Sequence, residues 1–130
     1  MTLMTMQLSP VSGAVKRVVD AAAAEGLDLT PRRFPDGTRT AEQAAAAVGV
    51  EVERIVKSLV FEVDDEAVLA LVGGADRLDE DRLASAAGGT VVHRPDADRV
   101  RAATGFAIGG VAPLGITEPL RVFMDPALLE

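Results

Sequence analysis

The stretch Lys57-Ser58-Leu59-Val60-Phe61-Glu62-Val63-Asp64-Asp65-Glu66-Ala67-Val68-Leu69-Ala70-Leu71-Val72 decides the fold. Two strand-like runs flank Asp64-Asp65, residues that favour a turn, so Lys57 to Val63 and Ala67 to Val72 are expected to form a hairpin. The second run is apolar on both faces, as in a strand at the centre of a covered sheet. In the first run Lys57, Leu59, Phe61 and Val63 point to one side, because side chains of a strand alternate at period two.

Upstream of the hairpin, Val15, Val18, Val19, Ala22 and Ala23 recur at helical spacing, with Ser12 as N-cap and Gly26 as the stop. Leu27 to Phe34 alternates loosely and predicts a short strand, followed by the turn-forming Pro35-Asp36-Gly37. Thr40-Ala41-Glu42-Gln43 spells a capping box and predicts a helix from 41 to about 48, closed by Gly49. Glu51 to Ile55 adds a helical turn. Downstream, a helix is expected over Asp79 to Ala87, a brief strand at Val91-Val92, a helix capped by Asp96 and stopped by Gly105, and a last strand at Leu120 to Met124. This order predicts an α+β protein: one compact domain over residues 12–130, a mixed, mostly antiparallel sheet with helices packed around it, after a loose lead-in at 1–11.

Composition narrows the chemistry. The 130 residues contain no Cys, Trp or Tyr, four Phe and one His. Thiolate nucleophiles, disulfides and Cys-based zinc sites are excluded, and neither a metal nor a cofactor is expected. The segment MTLMTMQLSP lacks the basic and apolar regions of a signal peptide. The longest apolar run, Ala67 to Ala75, falls far short of the ~20 residues that span a bilayer, so a cytoplasmic protein without membrane partners is expected. Net charge is -7, unevenly spread: seven acids and seven bases lie in residues 1–57, thirteen acids and six bases in 58–130. Such a surface disfavours broad binding along a nucleic-acid backbone, DNA included, and leaves contact with the tip of a nucleic acid open.

Two features could carry chemistry. Lys57 begins an otherwise apolar row, either as a cation at a pocket mouth or as a side chain snorkelling at a strand end. The segment Gly105 to Gly115 packs four glycines and a proline into eleven residues, a density that suits backbone approaching something closely. It can be an oxyanion-holding loop or a tight structural turn, and its spacing matches neither the dinucleotide fingerprint nor the P-loop. His93, beside Arg94-Pro95, is expected in a solvated loop, and Asp79-Glu80-Asp81 suits a helix start.

Thr40-Ala41-Glu42-Gln43-Ala44-Ala45, Ile55-Val56-Lys57-Ser58-Leu59-Val60-Phe61 and Thr104-Gly105-Phe106-Ala107-Ile108-Gly109-Gly110-Val111-Ala112-Pro113-Leu114-Gly115 together resemble the three signatures of the YbaK/ProX family. They stand in the family's order, and the resemblance spans about residues 12 to 128. It implies a trans-editing aminoacyl-tRNA deacylase, related to the editing domain inserted in bacterial prolyl-tRNA synthetases. The substrate so implied is the ester of a mischarged tRNA. Such an ester is already activated, so cleavage without a covalent intermediate is expected, and a Gly-lined wall of little depth favours a small amino acid such as Ala, Cys, Ser or Thr. The partners implied are the 3′ end of aminoacylated tRNA and an aminoacyl-tRNA synthetase.

The family's invariant Lys falls on Lys57, and its G-x-x-x-P element on Gly109 and Pro113. The resemblance therefore implies catalytic roles for Lys57, Gly109 and Gly110. It implies substrate contacts for Phe34, Thr40, Gly105, Ile108, Val111, Ala112, Pro113, Gly115 and Asp125. Ala112 stands where many members have Ser, so any role of that hydroxyl is absent here. The role expected for Lys57 is electrostatic, since no second cation adjoins it in sequence. Two alternatives remain: a non-catalytic module of the same fold that binds a tRNA end, a synthetase or an amino acid, and an esterase acting on free amino-acid esters.

Overall fold

The hairpin forms, with its register set by the turn. In a computed structural model, which describes residues 13–34 and 37–130, β1 (Val56–Val63) pairs antiparallel with β2 (Glu66–Gly73). Lys57 stands opposite Val72 and Phe61 opposite Val68. Asp64 and Asp65 take φ of 49° and 71°, the pair of left-handed residues that matches strand twist in a two-residue hairpin. The Asp64 carboxylate accepts the backbone N–H groups of Val91 and Thr90, at 2.9 and 3.1 Å. Those two bonds hold the Asp64 carboxyl below its ordinary range, Val91 contributing most.

β3 (Val92–His93) meets β1 only at Glu62 and Val63. Among the described residues, the outer edge of β1 from residue 56 to 61 therefore has no strand beside it. β4 (Arg121–Met124) runs parallel to β2, Val68 aligned with Arg121, and completes the order β3-β1-β2-β4. A bidentate pair from Arg121 to Glu66, at 3.0 and 2.8 Å, ties the start of β4 to the start of β2.

Among the described residues four α-helices accompany this sheet: α1 (Gly13–Ala24), α2 (Ala41–Val48), α3 (Glu80–Ala87) and α4 (Ala97–Thr104). Local chemistry fixes their ends. The Thr40 hydroxyl accepts from Gln43 N at 3.1 Å while Gln43 Oε1 accepts from Thr40 N at 3.2 Å, the reciprocal box expected for α2. Asp79 and Asp96 cap α3 and α4 by accepting from the backbone three residues on. Gly49, Gly88 and Gly105 close α2, α3 and α4 in the left-handed conformation.

The core has two layers divided by the sheet. Val60, Leu69 and Leu71 meet Val100 and Ala103 of α4 on one face. Phe61, Val63, Val68 and Ala70 meet Leu83 of α3 on the other. β2 is buried from Ala67 to Val72, because it lies between β1 and β4 with both faces covered. Burying each Val, Leu or Phe contributes about 1.5–3 kcal/mol, so this strand anchors the domain.

The α+β class, the mixed sheet and the caps agree with expectation, and strand ends differ by a residue or two. One element differs outright. Leu27 to Phe34 is irregular rather than a strand; Leu27 and Leu29 are 52% and 39% exposed. Pro31 supplies no N–H, and no described strand lies alongside to complete a ladder. The expected cap Ser12, the lead-in at 1–11, and Pro35 and Asp36 of the expected turn lie outside the described residues.

Candidate functional site

The uncovered edge of β1 borders a cavity of about 510 Å³. Residues 55–61 form one wall, and the start of α2, with Thr38, Arg39, Thr40, Ala41 and Ala44, forms another. Arg94 and Pro95, Val100 of α4, and Ile108, Gly109 and Val111 complete it. The cavity exists because β3 ends at His93, leaving the first six residues of β1, 56–61, without a described strand on that edge. In an antiparallel ladder alternate residues turn their N–H and C=O groups outward. That wall therefore presents hydrogen-bonding backbone as well as side chains.

Lys57 lies in this wall, half-buried, and its ammonium donates to the carbonyl of Asp76 in the segment between β2 and α3. An ammonium carries three donors, so this bond fixes the head group and leaves two protons for a ligand. Thr40, Ile108, Gly109 and Val111 line the same cavity. Of the residues singled out in the sequence, the structure brings Lys57, Thr40, Ile108, Gly109 and Val111 to one space.

The other glycines of the segment have different work. Gly109, at φ 84°, is the third residue of a turn closed by Gly110 N–H donating to Ala107 O at 2.8 Å. That position of such a turn favours glycine. The Gly110 N–H is thus engaged within the chain, and Gly110 is not part of the cavity wall. At Gly105 a Cβ would come within 2.8 Å of Thr117 Cγ2 and 2.9 Å of Arg17 Nη2; at Gly115 it would come within 3.1 Å of Arg17 O. What the backbone approaches closely there is α1. Arg17 donates to Gly105 O at 2.8 Å and covers the Phe106 ring at 4.5 Å.

Gly105, Gly115, Ala112 and Pro113 are all absent from the wall. So is Phe34, whose ring lies under the Arg32 guanidinium at 5.1 Å. Asp125 lies apart as well. Its carboxylate accepts Ala127 N at 3.0 Å, capping the helical turn Pro126–Leu129. It borders a second cavity of about 430 Å³, between the ends of β2 and β4 and helix α3. His93 is exposed as expected, beside Glu62 and Asp65, but it belongs to strand β3, paired with Glu62 of β1, rather than to a loop.

Sequence reasoning did not find Arg39 and Arg94. Both line the first cavity with Lys57, and among the described residues no carboxylate does. None of the three cations has a carboxylate within ion-pair distance among the described residues. In a chain with twenty acids and thirteen bases, the cavity is positive against the overall balance. The one available signal was the charge asymmetry, residues 1–57 being neutral in sum where residues 58–130 carry the whole -7, and it does not reach Arg94. It pointed to a region and not to a side chain.

In sequence and in its α+β fold the chain matches known proteins closely. The sequence model of the aminoacyl-tRNA editing domain family covers residues 35–130, and the chain belongs to that family. A crystal structure of a protein proposed to be a trans-editing enzyme for prolyl tRNA synthetase superposes with a TM-score of 0.85 at 43% identity, over 92% of this chain and 76% of that chain. The hypothetical protein APE2540 superposes with a TM-score of 0.78 at 29% identity, over 87% of this chain and 75% of that one. A proline–tRNA ligase of Maridesulfovibrio salexigens is 36% identical over 93 residues, which is 72% of this chain and 16% of the ligase. The chain therefore spans a small part of the length of the curated relatives it matches. Among the described residues no helix is long and apolar enough to cross a membrane.

Proposed function

We propose that the chain hydrolyses, in trans, the ester joining a small amino acid to the terminal adenosine of a mischarged tRNA in the cytoplasm. The observation that carries this reading is the cavity itself, in which Lys57 and Ile108, Gly109 and Val111 border one space free of described carboxylates.

An aminoacyl ester is already activated, so positioning water and stabilising the developing oxyanion can supply most of the rate. Water adds to the carbonyl carbon, the bond to the ribose oxygen breaks, and that oxygen takes up a proton. The products are the free amino acid and a tRNA with its terminal hydroxyl restored. Lys57, oriented by Asp76, offers its two remaining protons to the charge that forms at the carbonyl or to the terminal ribose and phosphate. Gly109, without a Cβ, lets the amino-acid end approach the turn, while Ile108 and Val111 give that end apolar contact. Gly110 acts by closing the turn. A hydrophobic slot of this kind separates substrates differing by a methylene only about 10- to 200-fold, so relaxed selectivity among Ala, Ser, Thr and Cys esters is expected.

A panel of mischarged tRNAs incubated with the wild-type protein and with Lys57→Ala tests the reading. Release of small amino acids by the wild type and a loss of about 10²–10³ in rate for the variant are expected. A wild-type protein that binds charged tRNA and never turns it over would make it a binding module instead.

A further inference from the structure

The geometry points to Arg39 and Arg94 as a phosphate-holding pair that makes the site select an amino acid linked to a polynucleotide end over a free amino-acid ester. This inference rests on the deacylase reading above and assigns the substrate's nucleic-acid portion to two side chains.

Arg39 directly precedes the N-cap of α2, and Arg94 directly follows β3. They are far apart in sequence, yet both reach the cavity beside the uncovered edge of β1. Arg94 is pre-positioned: its guanidinium lies 5.4 Å from the centroid of the Phe61 ring, and Phe61 is itself 1% exposed. A guanidinium held over a ring forfeits less freedom when it meets a ligand, and its planar fork suits phosphate oxygens. Arg39 is anchored through its backbone, whose N–H donates to Gln43 Oε1 at 2.9 Å, so the capping box of α2 fixes where that side chain starts. Lys57 already gives one proton to Asp76, and the two arginines are without described carboxylate partners. Three cations around one cavity are not accounted for by an amino-acid ester, which is neutral or, with its amine protonated, cationic. A terminal nucleotide with its phosphates supplies the matching charge. The acidic remainder of the surface then limits contact to the tip of the nucleic acid, since extended backbone binding needs many cations.

The test compares kcat/KM for a tRNA-linked ester with that for the ethyl ester of the same amino acid, in wild type, Arg39→Gln, Arg94→Gln and the corresponding Lys variants. Each Gln variant should lower the ratio of the two about tenfold, chiefly through KM on the tRNA substrate, as loss of one charge-assisted contact does. The salt dependence of that KM should fall by about 0.7 in log–log slope per arginine removed. The Lys variants, which keep the charge, should keep most of the slope. A ratio and slope unchanged in both Gln variants, or Lys variants as impaired as Gln, would overturn the inference. If the wild type cleaves neither ester, the deacylase reading fails by itself. Salt-dependent binding of a short single-stranded RNA with the tRNA 3′ sequence still decides the role of the arginines, a loss of slope in the Gln variants supporting it and an unchanged slope refuting it.

Discussion

Two cavities of similar size flank the same sheet, about 510 and 430 Å³, and their walls differ in kind. The first carries Arg39, Lys57 and Arg94 and no described acid. The second mixes Asp76, Asp79 and Asp125 with Arg77 and Arg82 over an apolar floor. Charges that can neutralise one another locally leave little net attraction for an anion, so the second cavity is poorly suited to a phosphate-bearing ligand. Size does not separate the two; uncompensated charge does. Lys57 links them, since it stands in the wall of the first and is held by a carbonyl that borders the second.

The sharpest way to break this contrast is to compare Lys57→Ala with Asp125→Ala. The first should lower deacylation about 10²–10³-fold. The second removes the cap of the turn at Pro126–Leu129, costing about 0.5–1 kcal/mol of stability and leaving the rate near that of the wild type. Equal losses in rate, measured on one mischarged tRNA, would mean that the two cavities act as one site.

Next in size is Gly74→Ala. A Cβ there would lie 2.5 Å from Val52 O and 3.0 Å from the Cβ atoms of Ala41 and Ile55. Since Ala41 and Ile55 line the first cavity, the strain falls on its wall. A destabilisation of about 2–3 kcal/mol in urea unfolding is expected, with deacylation more affected than any property tied to the second cavity. Thr40→Ala should cost about 1 kcal/mol through loss of the capping box, and Thr40→Ser should recover it.

The smallest effect is on pH. The Asp64 carboxyl sits below its ordinary range because Val91 and Thr90 donate to the charged form. A depressed folded pKa means that this stabilisation is complete above the unfolded pKa and fades as pH falls through the folded one. The tether of residues 90–91 to the hairpin should therefore loosen only below the usual carboxylate range. Because that segment leads into Arg94, acid should mobilise the first cavity before the second. Asp64→Asn should flatten the acid limb of a stability–pH profile and leave the neutral region little changed in shape.

The parts of the fold that sequence revealed were those specified by near neighbours. Thr40 with Gln43, Asp79, Asp96 and the glycines at 49, 88 and 105 each act within about one helical turn, and the hairpin needs only alternation and a turn. Residues 27–34 misled because loose alternation becomes a strand only when a partner lies alongside. The parallel pairing of β2 with β4 joins segments about fifty residues apart, which no local pattern encodes. The site divides in the same way. Lys57 and Gly109 stood out by type and context, whereas Arg39 and Arg94 gain meaning only from convergence on one edge. Gly105 and Gly115 show the limit of composition: a missing side chain looks alike in sequence whether the close neighbour is a ligand or, as here, α1.

The two-residue link at Asp64-Asp65 sets the phase of the whole molecule. Odd-numbered positions of β1 face α3 and even-numbered positions face α4, so the count of residues in that link determines on which side of the sheet Lys57 emerges. Lengthening the link by one residue without a compensating bulge would exchange odd for even, carrying the ammonium away from the Asp76 carbonyl and turning Phe61 from beneath Arg94. Drift in loop length, tolerated over most protein surfaces, is therefore forbidden at this tip by a requirement that originates seven residues away.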